Sequence, residues 1–102
     1  MSQNTKSKGT AIVTGAAQGI GAAIALRLAE DGFNVVLFDI PKNEHKMADI
    51  CSSLKDKQHE CSFFPGDVSK EEDIQFLVHN TVEKYGGLDV VSKVALASRQ
   101  MT

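Results

Sequence analysis

The chain has 102 residues, of which 42% are hydrophobic and 24% are charged, and this balance is typical of a folded globular protein. A chain this short buries a limited share of its surface, so we expect one domain at most. Eleven basic and thirteen acidic residues give a formal charge of −2 without a basic stripe, which argues against nucleic acid and anionic membranes as partners and favours a small molecule.

The segment 1–8 is polar, reading MSQNTKSK, and we expect it to be a disordered tail. It lacks the apolar core of a secretory signal. No apolar run of the chain approaches the length of a membrane span. We therefore predict a cytoplasmic protein with no membrane partner.

A glycine-rich turn joins the first predicted strand to the first predicted helix. Residues 10–14 form a buried apolar strand, and apolar residues recur at helical spacing from Ile20 until Asp31 and Gly32 end the helix. The turn between them reads TGAAQGIG at 14–21. A strand, a glycine-rich turn and a helix in this order make a phosphate cradle, because backbone N–H groups at a helix N-terminus favour an anion.

Three glycines give this turn the spacing G-x-x-x-G-x-G: Gly15, Gly19 and Gly21. The spacing differs from the dinucleotide fingerprint G-x-G-x-x-G but makes the same physical demands. One glycine permits the tight turn, another lets the backbone approach pyrophosphate, and the last lets the helix lie close to the strand. By spacing alone, a simple strand-to-helix turn explains the pattern equally well.

The second predicted strand covers 34–38 and is followed at once by Asp39, eighteen residues after Gly21. A carboxylate at this position can accept hydrogen bonds from both ribose hydroxyls of an adenosine. It would also repel a 2′-phosphate, which favours NAD over NADP as the cofactor. The alternative is a solvated aspartate that merely ends a strand.

The second predicted helix follows Pro41, and we expect Asn43 to cap it. Its apolar face is formed by Met47, Ile50, Cys51 and Leu54. A third strand is predicted over 60–64. Cys51 and Cys61 have neither C-x-x-C spacing nor a secretory context, so buried reduced thiols are favoured over a disulfide. None of the three histidines has neighbours at metal-ligand spacing, so no metal site is predicted.

After the third strand, the segment GDVS occupies 66–69. It falls at the carboxyl end of the sheet, where open α/β folds bind ligands, and Asp67 could accept a hydrogen bond from an adenine amino group. An aspartate ahead of a helix can equally be a local turn former. Ser69 and Glu72 have the spacing of a capping box. The helix that follows has an apolar face formed by Ile74, Leu77, Val78, Thr81, Val82 and Tyr85.

The predicted elements alternate as β-α-β-α-β-α-β, since glycines at 86–87 end the third helix and a fourth strand follows over 88–91. Such alternation predicts right-handed crossovers and a parallel α/β sheet of the Rossmann type, with helices on both faces. The chain then comprises a tail over 1–8, a cofactor-binding half-domain over 9–91 and a divergent C-terminal tail over 92–102.

Four motifs in this order resemble the short-chain dehydrogenase/reductase family: TGAAQGIG at 14–21, Asp39, GDVS at 66–69 and GLDVV at 87–91. The run AIALRLAEDGF at 23–33 is similar to members that act on acetoin or diacetyl. The resemblance implies the strand order 3-2-1-4, with the sheet truncated after its fourth strand. It also implies hydride transfer between a nicotinamide cofactor and a small carbonyl or secondary alcohol substrate in an intact relative.

By the same resemblance, NAD would be held by eight residues: Gly15, Gln18, Gly19, Ile20, Gly21, Asp39, Asp67 and Val68. The loop 15–21 would hold the pyrophosphate, with Gln18 on the adenosine side and Ile20 on the nicotinamide side. Asp39 would take the ribose. The side chain of Asp67 and the backbone of Val68 would bind adenine.

The chain departs from the family pattern after its fourth strand. Family members continue into Asn-Asn-Ala-Gly, where this chain reads KVAL at 93–96. The family's tyrosine acid/base acts with a lysine one helical turn later. Tyr85 is the only tyrosine, and Asp89 stands at the fourth position after it, so Tyr85 is interpreted as a core residue. The family also uses a serine that orients the substrate oxygen, but Ser92 and Ser98 lie in the divergent tail, so no residue is assigned to catalysis.

We therefore expect a nucleotide-binding fragment of an NAD-dependent short-chain oxidoreductase that is inactive as this chain. The alternative is a non-catalytic NAD-binding or regulatory partner of a full-length relative. A purely structural domain with an incidental glycine turn would require all four motifs to coincide. Because the fourth strand is an open edge in the expected sheet, self-association through that edge is also predicted.

Overall fold

A computed structural model of the chain describes residues 8–17, 19–88 and 90–92. Strands and α-helices alternate along these residues: β1 (Thr10–Thr14), α1 (Gly19–Glu30), β2 (Asn34–Asp39), α2 (Glu44–Asp56), β3 (Cys61–Pro65), α3 (Glu71–Tyr85) and β4 (Val90–Ser92). The strands pair in parallel in the order β3-β2-β1-β4. The predicted α/β sheet and its strand order are confirmed.

Helices cover both faces of this sheet, because alternate residues of the central strands point in opposite directions. On one face the strands pack against α1 and α2 in a core formed by Val13, Val35, Leu37, Ala25, Ala29, Met47, Cys51 and Leu54. On the other face they pack against α3 in a smaller cluster formed by Ile12, Val36, Phe38 and Leu77. This arrangement confirms the prediction that the continuous apolar runs are strands buried on both sides.

The helix starts differ from the predicted ones in their hydrogen bonds. The predicted capping box of Ser69 and Glu72 is wrong, because α3 is preceded by Lys70 and has no side-chain cap. The Ser69 hydroxyl instead donates to Asp67 Oδ1 at 2.7 Å. Asn43 does precede α2, but it ends a 3₁₀ turn that begins at Pro41, and its side chain makes no capping hydrogen bond.

The predicted end of α3 is confirmed at Gly86. Its φ of 82° lies in the left-handed region that glycine adopts without steric cost. Its N–H donates to the carbonyl of Val82 at 2.7 Å and so satisfies one of the last carbonyl groups of the helix.

The two cysteines are free and buried, which confirms the prediction of reduced thiols. A hydrogen bond with the Cys51 thiol, together with burial, raises the pKa of the Cys61 thiol. Because the thiolate is the nucleophilic form, Cys61 is held in its unreactive state at neutral pH. Both residues are therefore part of the core.

The structure describes only the inner ends of the two predicted tails. Lys8 donates its backbone N–H to the carbonyl of Gly32 at 3.0 Å, whereas 1–7 and 93–102 lie outside the described residues. Within the described ranges, no helix is both long and apolar enough to span a membrane. No three histidine, cysteine, aspartate or glutamate residues are grouped there as metal ligands.

Thr81 of α3 supplies a stability prediction, because it is 0% exposed and its hydroxyl has no hydrogen-bond partner among the described residues. Thr81→Val removes a buried hydroxyl while keeping the shape of the side chain, so it should raise the free energy of unfolding by about 1 kcal/mol. Urea denaturation measures the change. Ser62→Ala removes a hydroxyl that is hydrogen-bonded to Tyr85 and should lower the free energy of unfolding. Destabilisation by Thr81→Val would contradict the prediction.

Candidate functional site

The candidate site lies along the carboxyl edge of the sheet, where three segments are joined by backbone hydrogen bonds. The turn after β1 donates the Gly15 N–H to the carbonyl of Phe38 at 2.8 Å. The loop after β3 donates the Gly66 N–H to the carbonyl of Asp39 at 2.9 Å. The end of β2 therefore connects the glycine-rich turn to the segment 66–69.

The three glycines of the turn have different environments. Gly15 has a φ of 68°, in the left-handed region that side chains disfavour. A Cβ on Gly21 would lie 2.1 Å from the Gly15 carbonyl oxygen, so only glycine allows α1 to approach the turn this closely. A Cβ on Gly19 would meet nothing within 4 Å. Two of the glycines are thus required by the backbone, and the third borders open space.

The electrostatics of the helix starts favour an anion at α1. Its first turn contains no acidic residue, so the partial positive charge of its N-terminus is not neutralised by its own side chains. The first turn of α2 contains Glu44, and that of α3 contains Glu71, Glu72 and Asp73. Ile20 is 67% exposed at the start of α1, whereas Gln18 lies outside the described residues.

Asp39 is buried at the end of β2 and is bonded to the glycine-rich turn. Its side chain Oδ2 accepts the Ala17 N–H at 3.0 Å, and its Oδ1 accepts the Ile40 N–H at 2.7 Å. The residue is 6% exposed, so the interpretation as a solvated aspartate is wrong. A carboxylate has about four lone-pair sites, and these two bonds leave acceptor capacity for a ligand.

Asp67 has the hydrogen bonds expected of a turn former. Its Oδ1 accepts both the backbone N–H of Ser69 at 2.9 Å and the Ser69 hydroxyl at 2.7 Å. Asp67 and Val68 are half-buried beside the carboxyl edge. Their expected contacts with adenine stay a prediction.

Sequence reasoning missed two contacts that shape the loop after β3. A Cβ on Gly66 would lie 2.6 Å from ring atoms of Phe38, so the loop packs directly on that buried ring. Asp73 Oδ2 accepts the Asp67 N–H at 2.9 Å, which ties α3 to the loop. An aspartate in the first turn of a helix is already explained by its favourable interaction with the helix dipole. No sequence pattern therefore indicated that Asp73 also contacts the loop.

Tyr85 lies at the opposite end of the sheet, beside the start of β3. Its hydroxyl donates to Glu60 Oε2 at 2.9 Å and is 2.5 Å from the Ser62 hydroxyl. The Lys84 ammonium lies 5.6 Å from the centre of its ring. Burial raises the pKa of Tyr85. These contacts agree with a packing role for Tyr85, away from the candidate site.

A model of the short chain dehydrogenase family matches residues 9–101. The diacetyl reductase [(S)-acetoin forming] of Staphylococcus epidermidis is 45% identical over 82 residues, which cover 80% of this chain and 31% of that protein. The chain spans about a third of the length of the curated relatives that it matches.

Solved structures of dehydrogenases are also similar to this chain. A short chain dehydrogenase from Burkholderia cenocepacia in complex with NADP superposes with a TM-score of 0.77 and 28% identity, over 84% of this chain and 35% of that one. NAD⁺-bound xylitol dehydrogenase superposes with a TM-score of 0.76 and 31% identity, over 84% of this chain and 32% of that one. Complexes with both dinucleotides thus share this fold.

The contrast between Gly21 and Gly19 predicts opposite effects of the same substitution. Gly21→Ala places a Cβ against the Gly15 carbonyl and should lower the free energy of unfolding by about 3 kcal/mol. Gly19→Ala places a Cβ in open space and should leave stability unchanged or raise it by up to about 1 kcal/mol. Urea denaturation of both variants tests the contrast, and equal stability of the two would contradict it.

Tyr85 can be titrated selectively, because the chain has one tyrosine and no tryptophan. Absorbance at about 295 nm should give a pKa above the usual value of about 10 in the folded chain and about 10 in urea. Because the folded chain binds this proton more tightly, the stabilisation is complete below pH of about 10 and is lost as the pH rises towards the folded pKa. Coincident folded and unfolded titrations would contradict the assignment.

Proposed function

The chain belongs to the short-chain dehydrogenase family, and from this membership we propose that it binds the adenosine and pyrophosphate portion of NAD at the carboxyl edge of its sheet. The observation that carries the proposal is the glycine-rich turn, in which Gly19 borders open space at the start of α1. Backbone N–H groups at such a helix start favour an anion and need no basic side chain.

The pyrophosphate would lie against the turn and the start of α1, held by Gly15, Gln18, Gly19, Ile20 and Gly21. The missing Cβ of Gly19 leaves room for close approach of a ligand. The exposed side chain of Ile20 would flank the path towards the nicotinamide. The contact of α1 with the turn at Gly21 supports this geometry, because it holds the start of the helix against the strand that precedes it.

Asp39 would accept hydrogen bonds from the adenosine ribose and select NAD over NADP. Family membership leaves this choice open, since relatives with either dinucleotide have this fold. The carboxylate of Asp39 is buried, and its hydrogen-bond donors are the backbone N–H groups of Ala17 and Ile40. A 2′-phosphate about 4 Å away would be repelled by a few kcal/mol.

Adenine would lie beside the loop after β3, with its amino group donating to the Asp67 carboxylate and the backbone of Val68 completing the contact. The bonds from Ser69 to Oδ1 support this role as well as the turn, because they fix the orientation of the carboxylate. The backbone bond from Gly66 to Asp39 holds this loop beside the proposed ribose site.

Bound NAD would supply hydride transfer at its nicotinamide ring. The residues described here would bind and orient the adenosine half of the cofactor, and none of them is assigned to proton transfer. We therefore propose that this chain alone is inactive, and that a small carbonyl or secondary alcohol is the substrate of an intact relative. The 45% identity to a diacetyl reductase supports acetoin or diacetyl as the nearest substrate class.

A cytoplasmic location and a regulatory role beside a full-length relative stay predictions. Self-association through β4 is another: β4 pairs with β1 on one side, and no strand pairs with its other side among the described residues. An open parallel edge of this kind can recruit a further strand.

The cofactor proposal predicts the effect of removing the Asp39 charge. Asp39→Asn should raise the dissociation constant for NADH about tenfold and narrow the preference for NADH over NADPH, because an amide NH₂ replaces one acceptor oxygen and the repulsive charge is lost. Fluorescence titration with each reduced cofactor measures both constants. Asp31→Asn removes the same charge from an exposed residue paired with Arg27 and should change neither constant. Unchanged binding of both cofactors by Asp39→Asn would contradict the assignment.

A further inference from the structure

The loop between β3 and α3 is held in place by contacts from two other elements. Its Gly66 N–H donates to the carbonyl of Asp39 in β2, and Gly66 itself packs against the Phe38 ring. Its next N–H, that of Asp67, donates to the carboxylate of Asp73 in α3 at 2.9 Å. The backbone of the loop is thus bonded on one side to the sheet and on the other to the helix.

Asp73 is well placed to hold the loop rigidly. It is half-buried in the first turn of α3, and its own N–H donates to the carbonyl of Lys70 at 3.1 Å. A hydrogen bond from a backbone N–H to an ionised carboxylate is stronger than one between neutral groups. A Cβ on Gly66 would lie 3.4 Å from the Asp73 Cβ, so the helix and the loop are in direct contact.

Asp73 and Ser69 act on different parts of Asp67. Ser69 bonds to the Asp67 side chain through its N–H and its hydroxyl, whereas Asp73 bonds to the Asp67 backbone. Together the two contacts fix both the position of the backbone and the orientation of the carboxylate. A ligand group that bonds to the Asp67 carboxylate therefore meets an acceptor whose place depends on α3.

We propose that Asp73 is a positioning residue for adenine recognition, which holds Asp67 where its carboxylate can accept the 6-amino group of an adenine nucleotide. Asp73 would act through the backbone of the loop, since its Oδ2 accepts the Asp67 N–H. The inference rests on the proposed function, because it names a residue that supports the proposed adenine contact.

A comparison of two diphosphates separates positioning from general stability. ADP carries a 6-amino donor, whereas IDP carries a carbonyl oxygen that an aspartate would repel, and the two share their ribose and pyrophosphate. Isothermal titration calorimetry on the 102-residue chain should give an ADP preference of about tenfold, the effect of one hydrogen bond. Asp73→Ala should reduce this ratio to about twofold or less, because the loop loses its bond to α3.

Two further variants serve as controls. Asp73→Asn keeps a carbonyl oxygen that can accept the Asp67 N–H and should retain most of the preference. Glu72→Ala removes a charge from the neighbouring exposed position and should leave the ratio unchanged. Amide hydrogen exchange gives a readout without ligand: the Asp67 N–H should exchange about tenfold faster in Asp73→Ala and at the parent rate in Glu72→Ala.

Each outcome has a separate meaning. If the parent chain binds ADP no better than IDP, the proposed adenine site is wrong, and slow exchange of the Asp67 N–H still tests the Asp73 contact. If the parent prefers ADP and folded Asp73→Ala keeps the full preference, the positioning role is overturned while the adenine site stands. Should Asp73→Ala fail to fold by circular dichroism, Asp73→Ser, which keeps a polar side chain too short to reach the loop, replaces it under the same criteria.

Discussion

The contact between Gly21 and Gly15 controls the geometry of the carboxyl edge. With no side chain at Gly21, the first turn of α1 lies against the carbonyl of Gly15, where a single methyl group would come within 2.1 Å of an oxygen. This contact sets the direction in which α1 leaves the strand, and so the direction of its positive end. The core that α1 shares with the sheet then follows, because Ala25 and Ala29 are brought onto β1 and β2. The small side chains of Ala25 and Ala29 allow α1 to lie close to the sheet.

Among the helices of the described residues, the distribution of charge makes the start of α1 the one that suits an anion. The acidic residues at the starts of α2 and α3 neutralise their own helix dipoles, whereas α1 has none. The Asp39 carboxylate lies next to the same turn and is compensated by backbone N–H groups. The edge therefore offers N–H donors at one place and carboxylate acceptors at two others. The proposed ligand, which has phosphates at its centre and hydroxyl or amino groups at one end, suits this pattern.

Features that repeat along the chain could be predicted from the sequence, and contacts between distant loops could not. Continuous apolar runs predicted the buried strands, and the required glycines at Gly15 and Gly21 could be inferred because only glycine meets those backbone demands. Asp39 was placed correctly at the end of its strand, but its bond to Ala17 depends on the register of β1 beside β2. The capping box failed for a related reason: Ser69 has the right spacing, yet its hydroxyl is bonded to Asp67. Asp73 has the position of an ordinary acidic residue at a helix start, and no sequence pattern indicates its contact with the loop.

Asp39 binds two separate loops, the glycine-rich turn through its carboxylate and the loop after β3 through its carbonyl. Substitutions in these loops should therefore show epistasis, because the energetic effect of a change in one depends on whether Asp39 still holds the other. Replacing the Asp39 carboxylate would leave the Ala17 N–H without this hydrogen-bond acceptor. Any residue substituted at position 39 keeps the backbone carbonyl that accepts the Gly66 N–H, so such a change threatens the attachment of the glycine-rich turn and not that of the loop after β3.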